Sequence, residues 1–158
     1  MNGQTVIAEK RKRVLFLCIG NACRSQMAEA FARAYGADIL IAASAGLAPA
    51  MKIAPDTLKA MAEKNIDLRD QFPKSLRHLG RAEFDLVVNL SGSSVPEDLA
   101  SRTKILEWEI DDPVFMKYGQ HCEIRDQIEK LVMSLIIDLR QQSAPSRLRG
   151  QGSGRLEV

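Results

Sequence analysis

One short segment of the sequence combines a thiol, turn-forming residues, a guanidinium and a hydroxyl. It reads Cys18-Ile19-Gly20-Asn21-Ala22-Cys23-Arg24-Ser25. An apolar run precedes it and a segment of helical periodicity follows it. Its backbone N–H groups are therefore expected to converge on an anion at a helix N-terminus, where the helix dipole also favours negative charge. We predict an oxyanion-binding loop over residues 19–25, with Cys18 as the nucleophile.

The residue types within this loop suit that chemistry. Gly20 and Asn21 tolerate the left-handed backbone that a concave loop needs. The positive field of the loop favours the thiolate form of Cys18. The Arg24 guanidinium can bind two oxygens of a tetrahedral oxyanion, and Ser25 can donate a hydrogen bond to the sulfur. The alternative interpretation is a buried cysteine that ends a strand, followed by an arginine that faces solvent.

The elements that position the loop follow from the apolar pattern. Apolar runs without strict alternation predict strands covered on both faces, at residues 14–18, 39–43, 85–90 and 103–108. Helical composition or periodicity marks residues 25–35, 55–64, 96–100 and 122–140. This alternation predicts a three-layer, Rossmann-like α/β fold, a four-stranded parallel sheet flanked by helices on both faces. In such sheets the functional site lies beyond the carboxyl ends of the strands, where the loop begins.

Composition bounds the class of protein. The 158 residues, 46% apolar and 27% charged, suit one folded domain. We expect it to span residues 13–142, between a flexible N-terminus (residues 1–12) and a flexible tail (residues 143–158). A formal net charge of +2 gives no argument for a nucleic-acid or membrane partner, and we interpret the basic run at residues 10–13 as a solvated lead-in rather than an anion-binding patch.

Cellular location is predicted from the cysteines and the apolar runs. Three cysteines, an odd number, favour a reducing compartment over a disulfide framework. The N-terminus has no apolar stretch of signal-peptide length, and no run approaches the ~20 apolar residues of a membrane span. We therefore expect a cytoplasmic protein.

The loop from Cys18 to Ser25 resembles the phosphate-binding signature of the low-molecular-weight protein tyrosine phosphatases. The thioredoxin-coupled arsenate reductases share that signature and fold. The resemblance covers about residues 13–141, and it includes Ser44-Ala45-Gly46 after the second strand and Asp111-Asp112-Pro113 as the acid loop. It implies the phosphotyrosine phosphatase I-like fold, which agrees with the sheet predicted above.

The resemblance also implies roles for particular residues. Asp112, before Pro113, matches the general acid and base of the family, and Asp111 is left as a turn residue. Without the resemblance, both aspartates could equally end a turn after the fourth strand. Asn21 would hold the loop in shape through side-chain hydrogen bonds, and Ser44 would reach the same network.

The sequence mixes features of the two branches of this family. Gln26-Met27-Ala28-Glu29 and residues 108–113 and 125–128 look like the reductases. Thioredoxin-coupled reductases need two more cysteines around residues 89–96, where this chain has none, so the usual intramolecular disulfide relay is impossible. Tyrosine phosphatases usually carry aromatic residues after Asp-Pro and after the second strand. Here Val114 follows Pro113 and residues 47–55 contain no aromatic, which leaves Phe115 or Tyr118 as substitutes.

We therefore predict a cysteine-dependent phosphomonoester hydrolase that acts through a phosphocysteine on a phosphorylated protein or a small phosphomonoester. The alternative is an arsenate reductase whose adduct on Cys18 is resolved by an external thiol. That thiol would come from glutathione together with glutaredoxin, from mycothiol, or from thioredoxin. A third interpretation, an inactive phosphate-binding module, is disfavoured because Cys18, Arg24 and Asp112 are all present.

The remaining cysteines and histidines suggest no cofactor. Cys23 is either a redox partner of Cys18 or a small buried residue, and Cys122 is expected to be structural. His78 and His121 have no partners at metal-ligand spacing, so we predict no metal site. Three methionines are expected in the core: Met51, Met61 and Met133.

Overall fold

The structure is a computed structural model that describes residues 11–143. Within this range the strands are β1 (Lys12–Cys18), β2 (Leu40–Gly46), β3 (Leu86–Asn89) and β4 (Lys104–Glu107). The helices are α1 (Arg24–Gly36), α2 (Pro55–Ala62), α3 (Glu97–Ala100) and α4 (Tyr118–Gln142), with 3-10 turns at Leu76–Leu79 and Pro113–Phe115. Residues 1–10 and 144–158, which make up most of the two expected flexible ends, lie outside the described residues.

The strands form one parallel sheet in the order β2-β1-β3-β4. β1 is central, and Cys18 at its carboxyl end pairs with Gly46 of β2. On the other side, Leu17 pairs with Asn89 of β3. The predicted four-stranded parallel sheet is confirmed, and its register brings the ends of three strands to the loop that starts at Cys18.

Both faces of the sheet are covered by helical segments. Val14 and Phe16 of β1 pack in the larger apolar cluster, together with residues of α1 and α4. Leu15 and Leu17 pack in the smaller cluster, together with Leu99 of α3 and with the 3-10 turn at Leu76–Leu79. Successive side chains of a strand point to opposite faces, so β1 contributes to both layers of the core.

Two details differ from the expectations. α4 begins at Tyr118 rather than 122, because the Gln120 side chain accepts a hydrogen bond from the Lys117 N–H (3.2 Å) and closes the first turn. Met61 is buried as predicted, but the predictions for two other methionines are wrong: Met51 is fully exposed and Met133 is about half exposed. None of the helices in residues 11–143 is long and apolar enough to cross a membrane.

Gly46 permits the close approach of β2 to the loop after β1. A Cβ atom at this position would lie 2.6 Å from the Ile19 carbonyl oxygen and 2.9 Å from the Asn21 amide nitrogen. Both atoms belong to backbone, which cannot swing away as a flexible side chain can. The loop therefore has its observed position because residue 46 has no side chain.

We expect Gly46→Ala to lower the free energy of unfolding by about 1–3 kcal/mol, the usual effect of overpacking. Urea denaturation measures this change. Gly20→Ala is the matched control, since a Cβ there meets the Ala50 Cβ atom at an ordinary 3.8 Å. Equal stability of the two variants would contradict the close-approach argument.

Candidate active site

The loop from Cys18 to Ser25 connects the end of β1 to the start of α1. Asn21 has a φ of 50°, so the left-handed turn expected at Gly20 and Asn21 is made by Asn21. α1 begins at Arg24. The amides of a first helical turn have no acceptor within the helix, so this turn presents N–H groups and the positive end of the helix dipole to the loop.

The Cys18 side chain is almost fully buried, with 2% of its surface exposed. Its Sγ atom lies 2.8 Å from the Ser25 Oγ. The sulfur also accepts a hydrogen bond from the backbone N–H of Asn21 at 3.3 Å. The Asn21 Nδ2 donates to the same Ser25 oxygen at 2.7 Å. Since that oxygen already accepts a hydrogen bond from the Asn21 side chain, the Ser25 hydroxyl is free to donate its own hydrogen bond to the sulfur. Two hydrogen-bond donors thus face the Cys18 sulfur.

The Asn21 carboxamide is the centre of the network that holds the loop. Its Nδ2 donates to the hydroxyls of Ser25 (2.7 Å) and Ser44 (3.0 Å). Its Oδ1 accepts from the Gln26 Nε2 (3.0 Å) and from the Lys74 backbone N–H (2.9 Å). These four contacts use both donors and both lone pairs of the amide. The structure therefore places Asn21, Ser25 and Ser44 in one network with Cys18.

A buried carboxylate extends this network, and sequence reasoning missed it. Glu29 of α1 is 2% exposed and accepts a hydrogen bond from the Ser44 Oγ at 2.5 Å. Its other oxygen pairs with the Arg33 guanidinium at 2.6 Å. The available signal was the (i, i+4) spacing of Glu29 and Arg33, which fits an ion pair on any helix surface and says nothing of Ser44.

Gln26 is a second residue whose structural role was not predicted. It is fully buried, and its Nε2 donates to the Asn21 Oδ1 and backbone oxygen and to the Phe72 carbonyl, each at 3.0 Å. The Gln71 Nε2 donates to the Gln26 Oε1 at 2.6 Å. Gln26 thus ties the loop to the segment around residues 71–74.

Arg24 connects the oxyanion loop to the acid loop, residues 111–113, and to Ile110 just before it. Its guanidinium is buried, and its Nη1 donates to the carbonyl oxygens of Leu90 (2.6 Å) and Ile110 (3.0 Å). Its Nη2 lies 3.4 Å from the Asp112 Oδ2. The structure therefore brings Asp112 to the loop that contains Cys18 and Arg24, although Asp112 is far from both in sequence.

Asp112 itself stands at the solvent edge of this site, with 46% of its side chain exposed. Its Oδ1 accepts a hydrogen bond from the Val114 N–H at 3.1 Å and caps the 3-10 turn that starts at the buried Pro113. Asp111 is exposed. A carboxyl group at the mouth of an oxyanion site can exchange protons both with a bound molecule and with water.

The second cysteine of the loop differs in character from the first. Burial raises the pKa of the Cys23 thiol to about 11, against a smaller lowering by a hydrogen bond from Thr57. Cys23 is therefore a neutral thiol near pH 7. The three cysteines carry no disulfide, and Cys122 is partly buried on α4.

The two histidines lie apart. His78 is exposed in the Leu76–Leu79 turn, against the edge of the Phe72 ring, whereas His121 is buried on α4. Among residues 11–143, no group of three or more histidine, cysteine, aspartate or glutamate side chains is arranged to hold a metal ion.

A family model decides the membership of the chain. The model of the low molecular weight phosphotyrosine protein phosphatases matches residues 13–145. The chain belongs to this family. The match includes every residue of the site described above.

Individual members of the family that resemble this one carry reductase names. An arsenate reductase 1 from Bacillus cereus is 37% identical over 122 residues, which are 76% of this chain and 90% of that protein. A glutaredoxin arsenate reductase from Synechocystis is 31% identical over 127 residues, 79% of this chain and 96% of that protein. A solved arsenate reductase in a phosphate binding state superposes with a TM-score of 0.74 at 29% identity, covering 81% of this chain and 98% of the other.

We expect Ser25→Ala to slow the alkylation of Cys18 by iodoacetamide roughly tenfold or more at neutral pH. The variant removes a donor to the sulfur, and hydrogen bonds to charged groups contribute about 1.5–3 kcal/mol. Peptide mapping by mass spectrometry gives the rate at each cysteine. Ser94→Ala, in the exposed loop after β3, is the control and should leave the rate unchanged. Equal rates in both variants would show that Ser25 does not stabilise the thiolate.

A second prediction concerns oxidation. We expect diamide to join Cys18 to Cys23, because a thiolate that has been oxidised is attacked by a neighbouring thiol before further oxidation. Non-reducing peptide mapping detects the bond. Cys122→Ser should leave it intact and Cys18→Ser should abolish it. A peptide map without the Cys18–Cys23 disulfide would contradict the prediction that Cys23 is a redox partner of Cys18.

Proposed function

We propose that the protein is a cysteine-dependent phosphomonoester hydrolase. The observation that supports this most is the position of the Asp112 carboxylate, 3.4 Å from the Arg24 guanidinium at the mouth of the loop that contains Cys18. On this proposal Cys18 is the nucleophile, Arg24 the oxyanion ligand and Asp112 the proton donor of one site.

In the first step, the Cys18 sulfur attacks phosphorus and the bond to the ester oxygen breaks. Asp112 in its protonated form gives its proton to the leaving oxygen. Arg24 and the loop amides bind the non-bridging oxygens, where negative charge must be stabilised in the transition state. The products of this step are the free alcohol and a phosphoryl group on Cys18.

In the second step, the Asp112 carboxylate takes a proton from water as the water oxygen attacks phosphorus. The phosphorus–sulfur bond breaks, and its electron pair returns to Cys18. The Ser25 hydroxyl and the backbone N–H of Asn21, which already contact the sulfur, stabilise the departing thiolate. Inorganic phosphate leaves, and Asp112 is protonated again for the next cycle.

Exposed side chains near the site indicate which kind of ester group a substrate could carry. Phe115, three residues after Asp112, is 97% exposed, and Met51 is fully exposed in the loop whose Ala50 N–H donates to the Gly20 carbonyl (2.9 Å). Tyr118, the first residue of α4, donates a hydrogen bond from its hydroxyl to the Glu63 carboxylate, so its ring is fixed in place. Of the two aromatic substitutes considered from sequence, Phe115 is thus the one free to contact an ester group. We propose a phosphorylated protein or small phosphomonoester as substrate.

Arsenate reduction is the second candidate, because the relatives named above are arsenate reductases. The segment that would need relay cysteines is instead a closed polar turn. The Ser91 Oγ donates to the Asn89 Oδ1 at 2.6 Å, and the Asn89 Nδ2 donates to the Ser93 carbonyl at 2.8 Å. An arsenate adduct on Cys18 would therefore need an external thiol.

That reaction balances with two external thiols. Cys18 displaces water from arsenate and forms a sulfur–arsenic bond. The first thiol attacks the Cys18 sulfur, and arsenic leaves with the electron pair as arsenite. The second thiol reduces the mixed disulfide. Both candidate reactions need a reduced Cys18, which a reducing compartment such as the cytoplasm maintains.

A paired assay on the purified protein separates the candidates. One arm follows hydrolysis of an aryl phosphate; the other follows arsenate-dependent thiol consumption with glutathione and glutaredoxin, or with thioredoxin. We expect hydrolysis that Cys18→Ser or Arg24→Ala abolishes. Asp112→Asn should slow it by ~10²–10⁴, the usual contribution of a general acid. Asp111→Asn, one residue earlier, is the matched control and should retain activity.

Arsenate turnover without any hydrolysis of aryl phosphate would reverse the ranking. Hydrolysis that survives Cys18→Ser would exclude the proposed mechanism altogether.

A further inference from the structure

Gln26, near the start of α1, is a fully buried amide to which neither candidate reaction assigns a part. Its Nε2 faces three oxygens at 3.0 Å, namely the backbone and side-chain oxygens of Asn21 and the carbonyl of Phe72. Its Oε1 accepts a hydrogen bond from the Gln71 Nε2 at 2.6 Å. Both polar atoms of the side chain are therefore engaged, and one of their partners belongs to the oxyanion loop.

These partners leave the Gln26 amide one orientation. Two of the oxygens that face its nitrogen are backbone carbonyls, which only accept. The Gln71 Nε2 also donates to the Gln26 backbone carbonyl at 3.2 Å, so this nitrogen is a donor to both oxygens of Gln26. Turning the Gln26 amide over would set acceptor against acceptor and donor against donor inside the core, where unsatisfied polar groups are costly.

The orientation of Gln26 in turn fixes that of Asn21. The Gln26 Nε2 and the Lys74 backbone N–H both donate to one atom of the Asn21 carboxamide, at 3.0 and 2.9 Å, so that atom must be the oxygen. The Asn21 nitrogen is then turned towards the Ser25 hydroxyl oxygen, 2.7 Å away. The Ser25 proton is left to face the Cys18 sulfur, 2.8 Å from the Ser25 oxygen.

The result is a chain of donors that all point the same way. It runs through Gln71, Gln26, Asn21 and Ser25 and ends on the Cys18 sulfur. Hydrogen bonds in such a chain polarise one another, so a change at its start is felt at its end. The start is held by other elements, because the Gly46 N–H of β2 donates to the Lys74 carbonyl at 2.8 Å and the Gln71 N–H donates to the Leu68 carbonyl at 2.9 Å.

We propose that Gln26 is a positioning residue for Cys18, which orients the Asn21 carboxamide so that the Ser25 hydroxyl donates to the sulfur. Gln71 supports the same orientation from its place before Phe72. The inference rests on the proposed function, since Cys18 is the nucleophile of that reaction.

Gln26→Met tests this role, because it keeps the length of the side chain and removes its donors. The Asn21 amide is then free to turn over. We expect the alkylation of Cys18 by iodoacetamide at neutral pH to slow about three- to tenfold, within the range of couplings in one hydrogen-bond network. Peptide mapping by mass spectrometry gives the rate. Gln127→Met, the same change at an exposed position of α4, is the matched control and should react like the wild type. A Cys18 rate in Gln26→Met equal to that of the control would overturn the proposal.

The direction of the change separates positioning from packing. Cys18 and Cys23 are 2% and 5% exposed, so a loosened loop would uncover both thiols and speed the alkylation of both. Loss of the donor instead slows Cys18 and leaves the rate at Cys23 unchanged. Faster reaction of both cysteines in Gln26→Met would mean that Gln26 only fills the core, and the positioning role would be wrong.

A double variant shows whether the effect passes through Ser25. In the Ser25→Ala background there is no hydroxyl to orient, so adding Gln26→Met should slow Cys18 no further. The full additional loss in that background would show that Gln26 acts on the sulfur by another route, contrary to the proposal.

Gln71→Met supplies a milder variant in case Gln26→Met does not fold, which circular dichroism reports. Gln71 is half-buried, and its substitution leaves the Gln26 donors in place. We expect a smaller slowing at Cys18 than in Gln26→Met, in the same direction. If only this variant folds, an unchanged or faster rate at Cys18 would refute the donor chain.

Alkylation needs no substrate, so this test is independent of the proposed reaction. The expected pattern of rates in a protein that hydrolyses no phosphomonoester would place the failure in the proposed function and leave the orientation of the Cys18 donor intact. Active hydrolysis by a protein whose Cys18 rate ignores Gln26 would refute the positioning role alone.

Discussion

The arrangement of the site depends on the carboxamide of Asn21. Its two N–H groups and two lone pairs are all used, by hydroxyls from α1 and β2, by Gln26 and by the backbone at Lys74. Because the donors and acceptors of an amide are fixed, they also set the direction of the neighbouring hydroxyl protons. The Ser25 proton is directed to the Cys18 sulfur, and the Ser44 proton to Glu29. A single residue thus shapes the loop through its left-handed backbone, and its side chain sets the direction in which the two neighbouring hydroxyls donate.

The part of this design that is contiguous in sequence was predictable. A thiol at the end of an apolar strand and an arginine at the start of a helix define the loop, and the alternation of strands and helices predicts the parallel sheet. What was not predictable comes from elements that meet only in the fold. Glu29 and Gln26 look like ordinary helix residues until β2 and residues 71–74 arrive beside them. Met51 and Met133 have core-type side chains, but a loop and the outer face of α4 leave them exposed.

The choice between hydrolysis and reduction depends on the segment after β3. Here Asn89 donates to the Ser93 carbonyl and to a Glu107 carboxylate oxygen (2.9 Å), which ties the turn to β4. Ser91 accepts from the Ser93 N–H at 2.9 Å. These bonds satisfy the polar groups of the turn internally and provide no thiol for a relay. Under the proposed function, Cys18, Arg24 and Asp112 would suffice for phosphoryl transfer, whereas arsenate reduction would need a thiol from outside the chain.

The proposed hydrolysis requires a covalent bond between the Cys18 sulfur and the phosphorus of the substrate. Rapid acid quenching during turnover of an aryl phosphate, followed by peptide mass spectrometry, would trap this bond. We expect a phosphoryl group on the peptide that contains Cys18, formed as fast as the aryl alcohol is released. Release of the alcohol with no phosphoryl group on Cys18, or with the group on another residue, would contradict it.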